Sequence, residues 1–146
     1  MQRLELIRRV RSLTRDFSNS IFREQDIIDF INEGINRFKQ MVPEFKGLER
    51  LLVQNAEPKL IPEQYQHLLS IYTAARCFSQ DERHYQSTTL MNEFEVKLDE
   101  LKQSIDNGKI VIINPVTGLP VNDGDNSITE YVELESYYGS RKREEL

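Results

Sequence analysis

The spacing of apolar residues along the first hundred positions predicts a series of amphipathic helices. Apolar side chains recur at intervals of three and four residues, which places them on one face of a helix with 3.6 residues per turn. We predict four helices, covering about 3–14, 24–42, 62–78 and 82–107. Proline is placed to end the second and to begin the third, and glycine follows the fourth. The pattern therefore indicates an all-α, four-helix body.

The second predicted helix carries a glycine that needs a structural reason. Its apolar stripe is formed by Ile27, Ile31, Ile35, Phe38 and Val42. Gly34 lies inside this helix, where glycine costs about 1 kcal/mol relative to alanine. We therefore expect another helix to pack closely against Gly34.

The fourth predicted helix is longer than a body of this size requires. Its apolar positions alternate spacings of three and four: Met91, Phe94, Leu98, Leu101 and Ile105. Asp81 is a plausible N-cap residue before it. At 1.5 Å per residue this helix would be roughly 39 Å long. We expect its far end to project from the body and to carry the following residues away.

The region between the second and third helices has no regular pattern. Apolar residues at 51–53 predict a short strand, and Glu57-Pro58 predicts a turn.

Residues 109–146 differ from the helical body, and we treat them as a C-terminal arm after a body of 1–108. Two β-prone runs occur here, around a turn at 114–118. An isolated two-stranded hairpin is marginal in water. The arm is therefore either disordered or completed by a partner chain, and its β-branched and aromatic content favours the partner. The residues of the arm that are predicted to bind the partner chain are Ile110, Val111, Ile112, Ile113, Ile128, Tyr131, Val132, Leu134, Tyr137 and Tyr138.

The charge is unevenly distributed along the chain. The net charge is -5, yet residues 1–23 contain six arginines against two acidic residues. Arg8, Arg9 and Arg11 form the densest basic cluster, which could contact DNA phosphates or an acidic protein surface. The alternative is a solvated helix face whose arginine stems lie on apolar surface.

The sequence nominates no catalytic group, metal site or cofactor site. The glycines do not form a phosphate-binding pattern. Cys77 lies among apolar residues and is expected to be an unreactive thiol. Asp81 and His84 would supply only half of a metal site, and the run from Asp123 lacks the glycine and glutamate of a calcium loop. We therefore predict a protein that is not an enzyme and has no cofactor.

Two general properties concern the setting of the protein. A single cysteine favours a reducing compartment. No apolar stretch approaches the roughly 20 residues needed to cross a bilayer, and no secretory core begins the chain. We expect no membrane contact.

One segment resembles a known family. The run from Phe22 to Gly34 reads F-R-E-Q-D-I-I-D-F-I-N-E-G, and is followed by a proline-started helix and by the runs A-A-R-C-F at 74–78 and M-N-E-F-E at 91–95. Over residues 3–107 the chain resembles the head-to-tail connector (adaptor) proteins of tailed bacteriophages. Arg23 departs from the serine or aspartate expected as the N-cap, and residues 109–146 match less well.

The resemblance implies a structural virion protein without catalytic residues. Such a protein has an all-helical body and assembles with copies of itself into a ring, commonly of twelve. The ring sits between the portal protein and the next neck or tail protein, and extends the channel for packaged DNA. The location implied is the virion neck, with the host cytoplasm during assembly. A small helical DNA-binding or regulatory protein is the alternative function, and an enzyme subunit would need a ligand pocket.

Overall fold

The structure, a computed structural model, describes residues 1–121 of the chain. Five α-helices occur in this range: α1 (Arg3–Thr14), α2 (Glu24–Met41), α3 (Glu63–Gln66), α4 (Leu68–Gln80) and α5 (His84–Asp106). A 3-10 turn, Pro43–Phe45, follows α2. The prediction of a mostly helical body is confirmed for the described residues. The arm beyond Val121 lies outside them.

Helix α4 forms the centre of the body, and α1, α2 and α5 all pack against it. Ten of its thirteen residues are buried, so its sequence is apolar on nearly every side. Its buried hydroxyls are hydrogen-bonded: Thr73 Oγ1 donates to the Leu69 carbonyl within the helix at 2.7 Å, and Ser70 Oγ donates to the Leu6 carbonyl of α1 at 3.4 Å. The predicted third helix is divided at His67, which separates the single turn α3 from α4.

A cluster of aromatic rings fills the space between α2, α4 and α5. Phe38 lies 5.7 Å from Phe45 and 5.8 Å from Phe94, measured between ring centroids. Tyr72 of α4 lies 5.1 Å from the same Phe94 ring. The Phe38 and Phe94 rings meet edge to face at 70°, a favourable arrangement of their quadrupoles, and the other two pairs are tilted at 57° and 60°.

The close approach expected at Gly34 is confirmed. A Cβ atom at this position would lie 3.2 Å from both Leu69 Cδ2 and Tyr72 Cδ1. Both neighbours belong to α4, so the missing side chain allows α2 and α4 to pack together tightly. The helix-propensity cost of glycine is offset by this packing.

Replacing Gly34 with valine should therefore destabilise the protein by about 1–3 kcal/mol, the usual cost of overpacking a well-filled core. The measurement is urea denaturation followed by circular dichroism. Asn36→Val provides the matched control, since Asn36 is exposed on the same helix. Equal stability of the two variants would show that α2 and α4 do not meet closely at Gly34.

The predicted strand at 51–53 is wrong. Leu51 is buried, whereas Leu52 and Val53 are exposed, and none of the three forms a β-bridge in the described part of the chain. The buried side chain of Asn32 takes the place of a partner strand. The Leu51 N–H donates to Asn32 Oδ1 at 2.7 Å, and Asn32 Nδ2 donates to the Leu51 carbonyl at 3.4 Å.

The apolar stripe predicted for the long helix is confirmed in α5. Phe94, Leu98 and Leu101 are buried, and Met91 and Ile105 pack partly buried against the core. The start of this helix differs from the prediction. Arg83 occupies the N-cap position, and Asp81 pairs with Arg83 at 3.1 Å instead of capping α5.

The prediction that the far end of α5 projects is also wrong. Leu101 near this end is fully buried. Gly108 has φ +76°, a left-handed conformation that glycine adopts without strain and that reverses the chain. The N–H groups of Lys109 and Ile110 both donate to the Ser104 carbonyl, at 2.9 and 3.1 Å. The chain thus folds back over the end of α5.

Candidate interaction surfaces

The first β-prone run of the arm lies against the helical body. Ile112 is 3% exposed and belongs to the same core cluster as the helices, and Ile110 packs partly buried beside it. Val111 and Ile113, on either side of Ile112, are 56% and 45% exposed. Ile112 therefore contacts its own chain, while Val111 and Ile113 are open to a partner. The division at residue 108 and the assignment of the arm to a partner stay predictions.

Residues 112–121 form a small hairpin within the chain. The Val121 N–H donates to the Ile112 carbonyl at 2.8 Å, and the Asn114 N–H donates to the Leu119 carbonyl at 2.9 Å. The predicted turn at 114–118 is confirmed: the Gly118 N–H donates to the Asn114 carbonyl, with Gly118 at φ +72°. The Asn114 side chain also accepts from the Val116 N–H at 2.8 Å.

The hairpin borders a groove formed with the irregular region after α2. We call it the hairpin groove; its volume is about 490 Å³, and its apolar lining includes Leu48, Leu51, Leu60, Val116 and Val121. Val116 and Leu119 on the hairpin are themselves exposed. This end of the molecule thus presents apolar side chains beside a ready-made depression.

The remaining residues predicted to bind a partner lie outside the described range. They are Ile128, Tyr131, Val132, Leu134, Tyr137 and Tyr138.

The three arginines predicted to contact DNA have different environments. Arg8 and Arg9 are exposed on α1. Arg11 is buried, and its Nη1 donates to Asp16 Oδ2 and to the Phe22 carbonyl. Arg11 therefore stabilises the fold. Of the three predicted arginines, Arg8 and Arg9 are the ones exposed to DNA or to an acidic protein surface.

Asp16 is the centre of a buried polar network that the sequence did not reveal. Its carboxylate accepts hydrogen bonds from the N–H groups of Ser20, Ile21 and Phe22, at 2.9, 3.1 and 3.0 Å. Burial alone would raise the pKa of Asp16, but these hydrogen bonds and Arg11 together lower it. The network fixes the loop between α1 and α2.

The hydroxyl of Tyr72 makes a partly buried polar contact with α2. Tyr72 donates its hydroxyl to Glu33 Oε1 at 2.7 Å, and the same oxygen accepts from Arg76 Nε at 2.7 Å. Burial, together with Glu33, raises the pKa of Tyr72 to about 12. The phenol is therefore protonated at neutral pH and links α4 to α2 as a donor.

Cys77 is buried, and burial raises the pKa of its thiol to about 12. A thiol with this pKa is protonated at neutral pH and is a poor nucleophile. We expect an aromatic disulfide reagent to label Cys77 in the native protein only at the rate of unfolding. Labelling rates measured with and without urea test this. Rapid stoichiometric labelling of the native protein would contradict it.

Residues 1–121 contain no group of three or more histidine, cysteine, aspartate or glutamate side chains able to hold a metal ion. Burial, reinforced by Arg9, lowers the pKa of His67, while His84 is exposed at the start of α5. Within the same range, none of the helices has the length and apolar content needed to cross a membrane.

No protein-family model, curated protein or solved structure matches this chain.

Proposed function

We propose that the protein is a head-to-tail adaptor of a tailed-bacteriophage virion, forming a ring between the portal and the tail. The observation that supports this most is the segment 22–34, which carries the resemblance to that family. Several residues of this segment pack in the core. Phe22 and Ile27 are buried, and Asn32 Oδ1 accepts a hydrogen bond from the Leu51 N–H. Gly34, which has no side chain, allows α4 to pack closely against α2.

The exposed apolar side chains of the hairpin, together with Val111 just before it, supply a contact surface for this assembly. Val111, Ile113, Val116 and Leu119 are all exposed. Several exposed apolar side chains in a short stretch beside a groove are a feature of protein interaction sites. On this proposal the surface contacts the portal protein or an adjacent copy, and in the assembled ring the arm beyond it extends the same interface.

The experiment is to mix the purified protein with the portal ring of its own virus. Co-sedimentation and a ring of density beneath the portal in electron micrographs are the expected results. The double variant Val111→Asp/Ile113→Asp should bind less, because it places charge in the contact. Leu52→Asp/Val53→Asp is the control, since these exposed apolar residues lie outside the hairpin.

The alternative function is a small helical DNA-binding or regulatory protein, and Arg8 and Arg9 are the residues that favour it. A monomer that shifts duplex DNA at moderate salt and ignores the portal would overturn the adaptor proposal. In an adaptor, Arg8→Glu/Arg9→Glu should leave portal binding intact. In the adaptor, Arg8 and Arg9 would contact the phosphates of packaged DNA, independently of the base sequence.

A further inference from the structure

A second groove runs along one face of α4, between α1 and α5. Two adjoining cavities of about 370 and 210 Å³ form it, and Leu13 lines both. We call it the α1/α5 groove. Its apolar lining consists of Leu13 from α1, Ile71 and Phe78 from α4, and Tyr85 and Leu90 from α5.

This groove leaves large apolar side chains uncovered. Tyr85 is 82% exposed, and Leu13 is exposed on the opposite wall. Phe17 and Ile21, in the loop that follows α1, are exposed as well. When another apolar segment covers such a concave surface, the removal of apolar area from water stabilises the contact by roughly 25 cal/mol per Å².

The charged rim of the α1/α5 groove is positive. Arg9, Arg15 and Arg83 line it, and none of its lining residues is acidic. Arg83 Nε contacts Asp81 at 3.1 Å, but both side chains are well exposed. Since an exposed ion pair is worth about 0–1 kcal/mol, Arg83 can readily exchange this partner for another carboxylate. The groove thus suits a segment that is both apolar and acidic.

The same chain contains such a segment. Residues 122–138 include five acidic residues and no lysine or arginine. From 128 onward the acidic residues Glu130, Glu133 and Glu135 alternate with apolar and aromatic ones. We propose that the segment 128–138 docks in the α1/α5 groove of its own chain, with its carboxylates at the arginine rim.

The described chain ends where this docking is within reach. Val121 lines the hairpin groove together with Leu51 and Ala56, whose carbonyls accept hydrogen bonds from Arg3 at the start of α1. Along the axis of α1, Arg9 lies ~9 Å beyond Arg3, at 1.5 Å per residue. Residues 122–128 can span at most ~23–25 Å.

A short tether favours the same chain over a second copy. It holds the segment at an effective concentration on the order of millimolar, well above the concentration of other copies in dilute solution. The inference goes beyond the proposed function and does not depend on it. It implies that the free protein covers its own apolar groove, and that a partner binding there must displace the segment.

A tryptophan placed in the segment tests this, because the chain contains none. In the full chain carrying Tyr131→Trp, we expect blue-shifted emission and weak quenching by acrylamide, unchanged over a wide range of protein concentrations. Adding Arg15→Glu/Arg83→Glu should move the emission to that of an exposed indole. Further adding Glu130→Lys/Glu133→Lys should restore the blue shift, because the charges are then exchanged.

The control is Lys39→Glu, which reverses an exposed charge on α2 away from this groove and should leave the emission unchanged. Exposed emission in the chain carrying Tyr131→Trp alone would overturn the proposal. So would a blue shift that survives Arg15→Glu/Arg83→Glu in a chain whose circular dichroism is native. Burial that appears only at high protein concentration would assign the groove to a second copy and would also overturn it.

Discussion

Replacing Asp16 with alanine should lower the free energy of unfolding by about 3–5 kcal/mol, the usual cost of breaking a buried ion pair by removing one partner. The change leaves the Arg11 guanidinium buried without its carboxylate. It also removes the acceptor for the N–H groups of Ser20, Ile21 and Phe22. Chemical denaturation measures the loss.

Asp26→Ala is the matched control for this variant. Asp26 pairs with Arg23, whose side chain is largely exposed, so its removal should cost no more than about 1 kcal/mol. Similar losses in the two variants would contradict a structural role for the buried network.

The contribution of Asp16 should also depend on pH in a defined direction. Because its pKa is lowered in the folded state, the unfolded chain binds more protons when the pH falls below the unfolded value of about 3.9. Its stabilising effect is therefore complete above that value and is lost as the pH falls through the folded pKa. The difference in stability between the native chain and Asp16→Ala should shrink in that acidic range.

The second large effect is expected at Ile112. Ile112→Ala should cost about 2–5 kcal/mol, because it deletes a buried side chain from the core and leaves a cavity. Ile113→Ala is the control, one residue away and 45% exposed, and should cost much less. Urea denaturation of both variants gives the comparison.

The Ile112 result bears on where the folded body ends. A chain that stops after Gly108 lacks Ile112 and the hairpin and should be less stable than one that stops after Val121. If the two truncated chains are equally stable, the body closes at residue 108, as the sequence predicted. If only the longer chain is stable, residues 110–121 belong to the folded body.

The periodic part of the chain was predictable because one-sided burial imposes a regular spacing. The bounds of α1 agree with the prediction, and those of α2 differ only at the C-terminal residue. Gly34 was also foreseen, since a glycine inside a helix has a known cost and needs a neighbouring helix to offset it. These features can be predicted from the residues within one helix.

The remaining features depend on contacts between residues far apart in sequence, or on a local geometry without periodicity. Asn32 binds the backbone of Leu51 across 19 positions, and nothing in its own helix marks it as buried. Arg11 was predicted to contact DNA or an acidic surface, because its burial depends on the irregular loop in which Asp16 accepts from the N–H groups of residues 20–22. The return of Ile112 to the core was missed because Gly108 was treated as an end rather than as a reversal.

The prediction that a partner chain binds the arm has a different outcome for each half of the arm. In the first half, Ile112 is buried against its own chain, while Val111 and Ile113 remain exposed for the partner that the sequence predicted. The second half, from residue 122 onward, lies outside the described residues. The partner prediction rests on its β-branched and aromatic residues, and the α1/α5 groove proposal uses its acidic residues as well.

The position of α4 has a consequence for the order in which the protein opens. Three other helices cover this one, and ten of its residues are buried. Its amide hydrogens can therefore exchange with solvent only when the whole molecule unfolds, whereas the exposed first turns of α5 can fray independently. The slowest deuterium uptake in the protein should trace α4, and its rate should report the global stability of the fold.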